Sequence, residues 1–192
     1  MKNIAIFASG EGSNAQQLID YFKKNETGRV VLLVTNNPDA HVIQRANKAA
    51  IPQLLLDKKK FIETDHLLEK LKEYNISFIA LAGFIWLIPA YLTHAYPDRI
   101  INIHPALLPK YGGKGMYGMN IHQAVIHNKE PESGISIHYV NEHYDEGKII
   151  LQVKCKVNPS DTPESLAAKI HQLEYAHYPK VVEALICSVP CA

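Results

Sequence analysis

The chain has 192 residues, of which 47% are hydrophobic and 20% charged, and its 20 basic and 19 acidic residues leave a formal net charge of +1. This length suits a single α/β domain over residues 1–192, and the composition excludes a disordered or collagen-like protein. The balanced charge gives no basic field for nucleic acid or membrane, and no apolar run approaches the ~20 residues of a membrane span. We therefore expect a cytoplasmic protein without a signal peptide.

The three cysteines are predicted to be reduced thiols and not a metal or disulfide site. They are Cys155, Cys187 and Cys191, an odd number that includes a C-x3-C spacing near the end of the sequence. A zinc ion would need two more ligands at a suitable spacing, and the histidines form no H-x-x-x-H pair. We therefore expect no bound metal ion.

Strand-like and helix-like patterns alternate along the sequence. Short apolar or β-branched runs predict strands at 4–8, 29–36, 77–83, 99–103, 133–140 and 148–157, with a short apolar segment at 53–56. Apolar residues at helical spacing predict helices at 15–24, about 40–50, 61–74, 89–96, after a loop at 105–119, and at about 163–186. No internal repeat or linker divides the chain.

The order of these elements predicts an α/β fold with a doubly wound, mostly parallel sheet. In the first half strands alternate with helices, which by the right-handed crossover rule gives a Rossmann-like arrangement. The last two strands follow each other without a helix, so we expect them to add antiparallel pairing near the C-terminus. Ligands of such sheets bind beyond the carboxyl ends of the strands, where the strand order reverses.

The segment RIINIHP at 99–105 brings two polar side chains to the carboxyl end of a predicted strand. Asn102 and His104 lie two residues apart and so project from the same face, and Pro105 ends the hydrogen-bonded ladder. Two uncharged hydrogen-bonding groups aimed into one crevice are more typical of a site than of a core.

The segment SGEGSN at 9–14 allows three interpretations. Its glycines match the permissive G-x-G-x-x-A spacing of dinucleotide sites, but the second predicted strand ends in neutral residues where that fingerprint requires an acidic one. Alternatively, Gly12, Ser13 and Asn14 open a helix whose free amides bind one phosphate. In the third interpretation, Ser13 or Asn14 merely caps the helix.

A carboxylate in the segment HYDEGK at 143–148 is a candidate partner for His104. Asp145 is either a solvated turn residue or the group that orients this imidazole and raises its proton affinity. The set of Asn102, His104 and Asp145 contains no Ser or Cys nucleophile, so it suits direct acyl transfer better than covalent catalysis.

The sequence resembles the folate-dependent formyltransferases along essentially its whole length, and among them the phosphoribosylglycinamide formyltransferases. The segments INIHPALLPKY and YDEGKIILQ are shared by the wider family and indicate chemistry with 10-formyltetrahydrofolate. The segments SGEGSN at 9–14 and LEYAHYP at 173–179 narrow the resemblance to the phosphoribosylglycinamide formyltransferases. Further matching segments are NNPDAHVIQRA, LAGFIWLIP and SGISIHYV.

The resemblance implies a formyltransferase fold that transfers a formyl group from 10-formyltetrahydrofolate to the amine of 5-phosphoribosylglycinamide in purine biosynthesis. It implies small-molecule substrates, no ATP, no metal and no nucleic-acid or membrane partner, and it is compatible with a homodimer. The implied catalytic residues are Asn102, His104 and Asp145. The implied acceptor-binding residues are Gly12, Ser13 and Asn14 for the phosphate and Glu174 for the ribose. The implied folate-binding residues are Ile85, Trp86, Leu87, Ile88, Asn102, Asn141 and Tyr144.

Two alternative functions stay open from the sequence. Within the same chemistry, water or another small amine would accept the formyl group, giving a formyltetrahydrofolate hydrolase or a different formyltransferase. Outside it, the chain would be a non-catalytic module that binds a phosphate or nucleotide.

Three further features of the sequence concern residues near the expected site. Trp86 stands where bacterial relatives often have Arg, and the glycines at 111–120 predict a mobile flap. His122 and His138 are assigned structural roles.

Overall fold

The computed structural model describes residues 1–188, in which strands and helices alternate. The strands are β1 (Lys2–Phe7), β2 (Gly28–Thr35), β3 (Gln53–Leu55), β4 (Ile76–Leu81), β5 (Ile100–His104), β6 (Glu132–Tyr139) and β7 (Ile149–Lys156). The helices are α1 (Ser13–Phe22), α2 (Val42–Lys48), α3 (Lys58–Glu63), α4 (His66–Glu73), α5 (Ala90–Ala95), α6 (Met119–His127) and α7 (Pro163–Ser188).

These strands form one sheet in the order β3-β2-β1-β4-β5-β6-β7. The first five in this order pair in parallel, whereas β6 is antiparallel to both β5 and β7. The predicted mostly parallel sheet with an antiparallel addition is therefore confirmed. Because β2 and β3 lie on one side of β1 and the later strands on the other, the strand order reverses between β1 and β4. That reversal opens a crevice at the carboxyl ends of these strands.

The sheet is buried on both faces, and β1 shows why its sequence is continuously apolar. Ile4 and Ile6 pack into the layer that holds α1, α2, α6 and α7, whereas Ala5 and Phe7 pack against α3, α4 and α5. All four side chains are fully buried. A strand covered on both sides has no solvent-facing position for a polar residue. The apolar run of β1 thus places this strand in the middle of the fold.

The stretch predicted as one helix at 61–74 forms two helices, α3 and α4, and that prediction was wrong. Thr64 between them is extended, with φ −135° and ψ 158°, and its hydroxyl donates to the Lys60 carbonyl at 2.8 Å. At the start of α3, Asp57 accepts from the Lys60 amide at 2.9 Å. Short polar side chains compete with the helix for backbone hydrogen bonds, so the helix ends although the apolar periodicity continues.

Three further features of the described residues bear on the predictions about a membrane span, the cysteines and a metal site. No helix within residues 1–188 is long and apolar enough to cross a bilayer. Cys155 and Cys187 are free thiols, and Cys191 lies outside the described residues. In the same part of the chain, no group of three or more His, Cys, Asp or Glu side chains is arranged to hold a metal ion.

Candidate active site

Strand β5 carries two of the predicted catalytic side chains to the carboxyl edge of the sheet. Asn102 Nδ2 lies 3.4 Å from Asp145 Oδ1, and His104 Nδ1 lies 3.5 Å from the same oxygen. The strand ends at His104, immediately before Pro105, because proline cannot donate to the ladder. The structure therefore brings Asn102, His104 and Asp145 together.

Asp145 lies in the loop between β6 and β7 with a left-handed backbone, φ 56°. The Gly113 amide donates to its Oδ2 at 2.9 Å. Two residues further on, a Cβ at Gly147 would lie 1.7 Å from the Tyr139 carbonyl oxygen, so the loop closes only with glycine there. Burial raises the pKa of Asp145, but the neighbouring imidazoles and the Gly113 amide outweigh it and hold the pKa below its usual value. Asp145 is thus held as a carboxylate.

The buried ring of His104 has a neighbour at each nitrogen. Nε2 lies 2.7 Å from the Tyr111 carbonyl oxygen, which can only accept, so Nε2 carries a hydrogen and donates it. The nitrogen that titrates is therefore Nδ1, which faces Asp145. Burial lowers the pKa of His104 below its usual value, the Asp145 charge and the Tyr111 carbonyl oppose that shift, and His138 adds to it.

His138, which sequence reasoning assigned to a structural role, lies at the candidate site. It is the direct cross-strand partner of Asn102 in the antiparallel pairing of β5 with β6. Its Nδ1 donates to the Tyr139 carbonyl at 2.8 Å, which leaves Nε2 to accept from Asn102 Nδ2 at 3.2 Å. The signal that could have found it was the register of β6 against β5, which places a polar residue of SGISIHYV opposite Asn102.

A cavity that is open to solvent lies beside these residues. Its lining residues are Leu81, Phe84, Trp86, Leu87, Ile88, Asn102, His138, Val140, Asn141, His143, Tyr144 and Asp145. Half of these residues are apolar and half carry hydrogen-bonding groups. All the implied folate-binding residues lie in this lining except Ile85, whose amide donates to Ser9 Oγ at 3.1 Å. His104 lies behind the lining, in contact with Asp145.

The indole of Trp86 forms part of the cavity wall and packs against two other aromatic rings. Its ring centroid lies 5.6 Å from that of Phe61 at an interplanar angle of 41°, and 6.3 Å from that of Phe84. Phe84 in turn packs edge-on against Phe7 of β1, with centroids 5.4 Å apart. Such packing holds the indole against the core. Trp86 therefore presents a rigid apolar surface to the cavity.

The other predicted binding segment, SGEGSN, ends at the start of α1. Gly12 is the N-cap residue, with a left-handed backbone of φ 72°, and no side chain caps the helix. A Cβ on Gly12 would lie 2.4 Å from Val42 Cγ2, so glycine is required for α2 to pack here. The amides that open a helix have no partner within it, so this uncapped start offers donors to an anion.

Asn14, in the first turn of α1, joins this segment to α7. Its Nδ2 donates to Glu174 Oε2 at 2.9 Å, whereas its buried Oδ1 has no hydrogen-bond partner. Burial raises the pKa of Glu174 to about 7, and the hydrogen bond from Asn14 opposes that shift. One turn further along α7, the Tyr178 hydroxyl donates to the Leu81 carbonyl at 2.7 Å, at the end of β4. Helix α7 thus contacts both the start of α1 and the carboxyl end of β4.

Comparison with known sequences places the chain in one protein family. Residues 2–182 match the family model described as formyl transferase. A phosphoribosylglycinamide formyltransferase of Bacillus subtilis is 37% identical over 191 residues, covering 97% of this chain and 95% of the relative. A chloroplastic phosphoribosylglycinamide formyltransferase of Arabidopsis thaliana is 42% identical over 190 residues, covering 96% of this chain. The chain spans 65% of the Arabidopsis relative's length and 61% of that of a similar Vigna unguiculata protein.

Comparison with solved structures gives the same result. A phosphoribosylglycinamide formyltransferase of Bacillus halodurans superposes with a TM-score of 0.87 at 35% identity, covering 98% of this chain and 97% of that one. A glycinamide ribonucleotide transformylase of Geobacillus kaustophilus gives a TM-score of 0.86 at 36% identity, covering 97% and 99%. Both similarities span nearly the whole chain, so the fold is shared with these two proteins.

Proposed function

Since the chain belongs to the formyl transferase family, and within it to the phosphoribosylglycinamide formyltransferases, we propose that it transfers a formyl group from 10-formyltetrahydrofolate to the amine of 5-phosphoribosylglycinamide. The observation that carries this proposal is the convergence of Asn102 and His104 on Asp145 next to a cavity lined by both apolar and hydrogen-bonding residues. A donor amide, an imidazole and a carboxylate are the groups that direct acyl transfer to an amine requires.

The cavity is suited to the folate co-substrate. Trp86, Leu87 and Ile88 supply an apolar side for a flat heterocycle, while Asn141 and Tyr144 stand on the loop opposite. When bound there, 10-formyltetrahydrofolate would supply the formyl carbon and the nitrogen that leaves. The amide of Ile85 is already engaged by Ser9, so we propose that residue 85 contributes no backbone donor.

The proposed reaction forms a bond from the acceptor amine to the formyl carbon and breaks the bond from that carbon to the folate nitrogen. Asn102 Nδ2 has two hydrogens: it donates one to His138 and turns the other, 3.4 Å from Asp145 in the free site, to the formyl oxygen as negative charge develops on it. The form of His104 that is protonated on both nitrogens adds positive charge near it, and Asp145 favours that form against the burial that disfavours it. Asp145 also accepts the proton lost by the amine and passes it toward the leaving nitrogen. Proton and electron count balance without ATP or a metal ion.

The start of α1 is proposed to hold the acceptor. The amides at Gly12, Ser13 and Asn14 bind the phosphate, because the helix start is uncapped and its dipole favours an anion. Asn14 Oδ1, buried without a partner, accepts from a ribose hydroxyl, and Glu174 binds the ribose beside it. An unsatisfied buried oxygen next to a buried carboxyl is explained if a polyhydroxylated ligand completes the site.

The charge of the chain favours this small acceptor over a transfer RNA. Each phosphate contact of a nucleic acid is met by Lys or Arg, and 20 basic against 19 acidic residues provide no excess for many such contacts. One phosphate needs only one helix start.

We also propose that residues 1–192 act as one domain and that the protein works in the cytoplasm. We propose further that it forms a homodimer, which sedimentation of the purified protein tests.

The experiment that tests the function measures tetrahydrofolate release from 10-formyltetrahydrofolate with three acceptors in the presence of a chelator. With 5-phosphoribosylglycinamide we expect saturable release, and with methionyl-tRNA or water alone no release above background. Release at a comparable rate without an acceptor would identify a hydrolase. No release under any condition, with phosphate binding retained in the His104→Ala variant, would identify a binding module.

A further inference from the structure

We propose that Tyr111 is a positioning residue of this site: its backbone fixes the arrangement of His104 and Asp145, and its phenol fastens that backbone to the turn before β6. The inference rests on the proposed function, because it concerns how the proposed catalytic pair is held. Tyr111 does not line the cavity, so the role is exerted through His104.

One short segment contacts both members of the pair. The Tyr111 carbonyl oxygen lies 2.7 Å from His104 Nε2, and two residues later the Gly113 amide donates to Asp145 Oδ2 at 2.9 Å. An acceptor therefore faces the imidazole and a donor faces the carboxylate. This polarity matches a positively charged ring beside a negatively charged carboxylate, and it favours that state over the neutral pair.

The same carbonyl decides which nitrogen of His104 takes part in proton transfer. Because Nε2 donates to Tyr111, the proton that comes and goes is the one on Nδ1, which lies 3.5 Å from Asp145 Oδ1. If the carbonyl moved away, the ring could place its single proton on Nδ1 instead. The imidazole would then be neutral while still satisfying Asp145, and the site would lose its positive charge.

The backbone of Tyr111 requires an anchor because its conformation is unfavourable. Its φ of 59° lies in the left-handed region, which a bulky residue adopts only when its surroundings hold it there. The phenol hydroxyl donates to Glu130 Oε1 at 2.9 Å and accepts from Asn128 Nδ2 at 2.9 Å. Lys110 Nζ lies 3.0 Å from the same Glu130 oxygen. These contacts tie the segment to the end of α6 and the turn that precedes β6.

The pH dependence of the reaction reports on this contact. The ionisable groups that face His104 are Asp145 on the loop after β6 and His138 on β6, whereas Lys110 and Glu130 lie at the phenol end of the segment. The Tyr111 carbonyl raises the pKa of His104, so a looser contact lowers that pKa. If charged His104 is the active form, the alkaline limb of the kcat profile then moves to lower pH.

The first test compares Tyr111→Phe with Tyr117→Phe, an exposed tyrosine of the same loop. Both variants lose one hydroxyl, but only the first loses the bonds to Glu130 and Asn128. For Tyr111→Phe we expect kcat to fall roughly 3- to 10-fold, the range for one ordinary hydrogen bond, with both KM values unchanged. Its alkaline limb should move to lower pH. Tyr117→Phe should match the wild type in all of these.

A second pair of variants separates positioning from folding. Glu130→Gln keeps an oxygen that can accept from the Tyr111 hydroxyl, whereas Glu130→Leu removes it. We expect Glu130→Gln to retain the kcat and pH profile of the wild type, and Glu130→Leu to reproduce those of Tyr111→Phe. Equal kcat losses in the Gln and Leu variants, with unshifted pH profiles, would indicate a purely structural role and overturn the proposal.

A third measurement needs no turnover. In the ¹⁵N-labelled protein, imidazole shifts report the tautomer of His104, assigned by its loss in His104→Ala. We expect the Nε2–H form in the wild type and a lower titration midpoint in Tyr111→Phe. An unchanged midpoint and tautomer would overturn the proposal for Tyr111. A wild type that releases no tetrahydrofolate would instead refute the proposed function, so the two failures are distinguishable.

Discussion

Asn14 donates a hydrogen bond to Glu174 across 160 positions of the sequence, with Nδ2 2.9 Å from Oε2. The bond joins the start of α1 to α7, so one contact holds both of the residues proposed to meet the acceptor's ribose. Glu174 is buried at this contact, and burial raises its pKa to about 7 although the hydrogen bond from Asn14 opposes that shift. A carboxyl that titrates near neutrality in the folded protein has a measurable consequence for stability.

The contribution of Glu174 to the stability of the protein should fall as the pH rises from about 4.5 to about 7. Glu174 has an ordinary pKa of 4.5 and a folded pKa of about 7, so in this window the folded state binds more protons than the unfolded state. The stabilisation is complete below the lower value and is lost through the higher one, by at most about 3 kcal/mol. Urea unfolding at pH 5 and pH 8 measures it.

Glu174→Gln is the matched variant, because the amide keeps an acceptor for Asn14 and does not titrate in this window. The difference in unfolding free energy between variant and wild type should shift in favour of the variant on going from pH 5 to pH 8. A difference that stays constant between these two pH values would mean that Glu174 is not held in the buried, protonatable state described above.

Removal of either ionisable member of the proposed catalytic set should reduce kcat strongly. We expect His104→Ala and Asp145→Asn each to lower it by roughly 10²–10⁴-fold, the range for a positioned proton-transfer group. Because the two act as a unit, the double variant should be little worse than the poorer single one. Steady-state kinetics with both substrates decide this. If the fold-loss of kcat in the double variant equalled the product of the two single losses, Asp145 and His104 would act independently.

Gly12→Ala should weaken binding of the acceptor more than that of the folate. The added Cβ would lie 2.4 Å from Val42 Cγ2 and would occupy a left-handed backbone position, so the amides at the start of α1 must move. The acceptor's KM should rise roughly 10- to 100-fold, the effect of one lost hydrogen bond to a charged group. Gly10→Ala is the control, since a Cβ there meets nothing within 4 Å. Equal changes in both KM values would assign SGEGSN a structural role.

Trp86, the single tryptophan of the sequence, should report folate binding by its fluorescence. The indole lines the cavity, so tetrahydrofolate bound there should quench its emission with a saturable dependence on concentration. Titration with 5-phosphoribosylglycinamide should leave the emission unchanged, because its proposed site is at α1. A free tryptophan amide corrects for absorption by the folate, and quenching no greater than that of the amide would place the folate elsewhere.

The sequence could predict the parts of the site that follow from side-chain periodicity. Asn102 and His104 were identifiable because strand geometry puts alternate residues on one face, and Pro105 marks the strand end. His138 was missed because its place opposite Asn102 depends on the register of β6, which a single sequence does not specify. The Tyr111 contact was missed for a different reason: it is made by a carbonyl, and every residue has one.

The fold, like the site, was predictable from the sequence only where it follows from side-chain periodicity. The parallel strands were predictable because burial on both faces imposes continuous apolar runs, as in β1. The break between α3 and α4 was not, because Leu67 and Leu71 continue the apolar spacing while Thr64 interrupts the backbone through a local hydrogen bond. Apolar periodicity reports which face is buried and does not report where polar side chains end a helix.

The most direct test of the proposed function follows the formyl carbon itself. The purified protein is incubated with 10-formyltetrahydrofolate labelled with ¹³C in the formyl group, together with 5-phosphoribosylglycinamide and a chelator, and the products are analysed by mass spectrometry. We expect the label to appear as a formamide on the acceptor, in amounts equal to the tetrahydrofolate released, and His104→Ala to abolish it at the same time point. Label recovered as free formate, or left on the folate while the acceptor stays unmodified, would contradict formyl transfer to this amine.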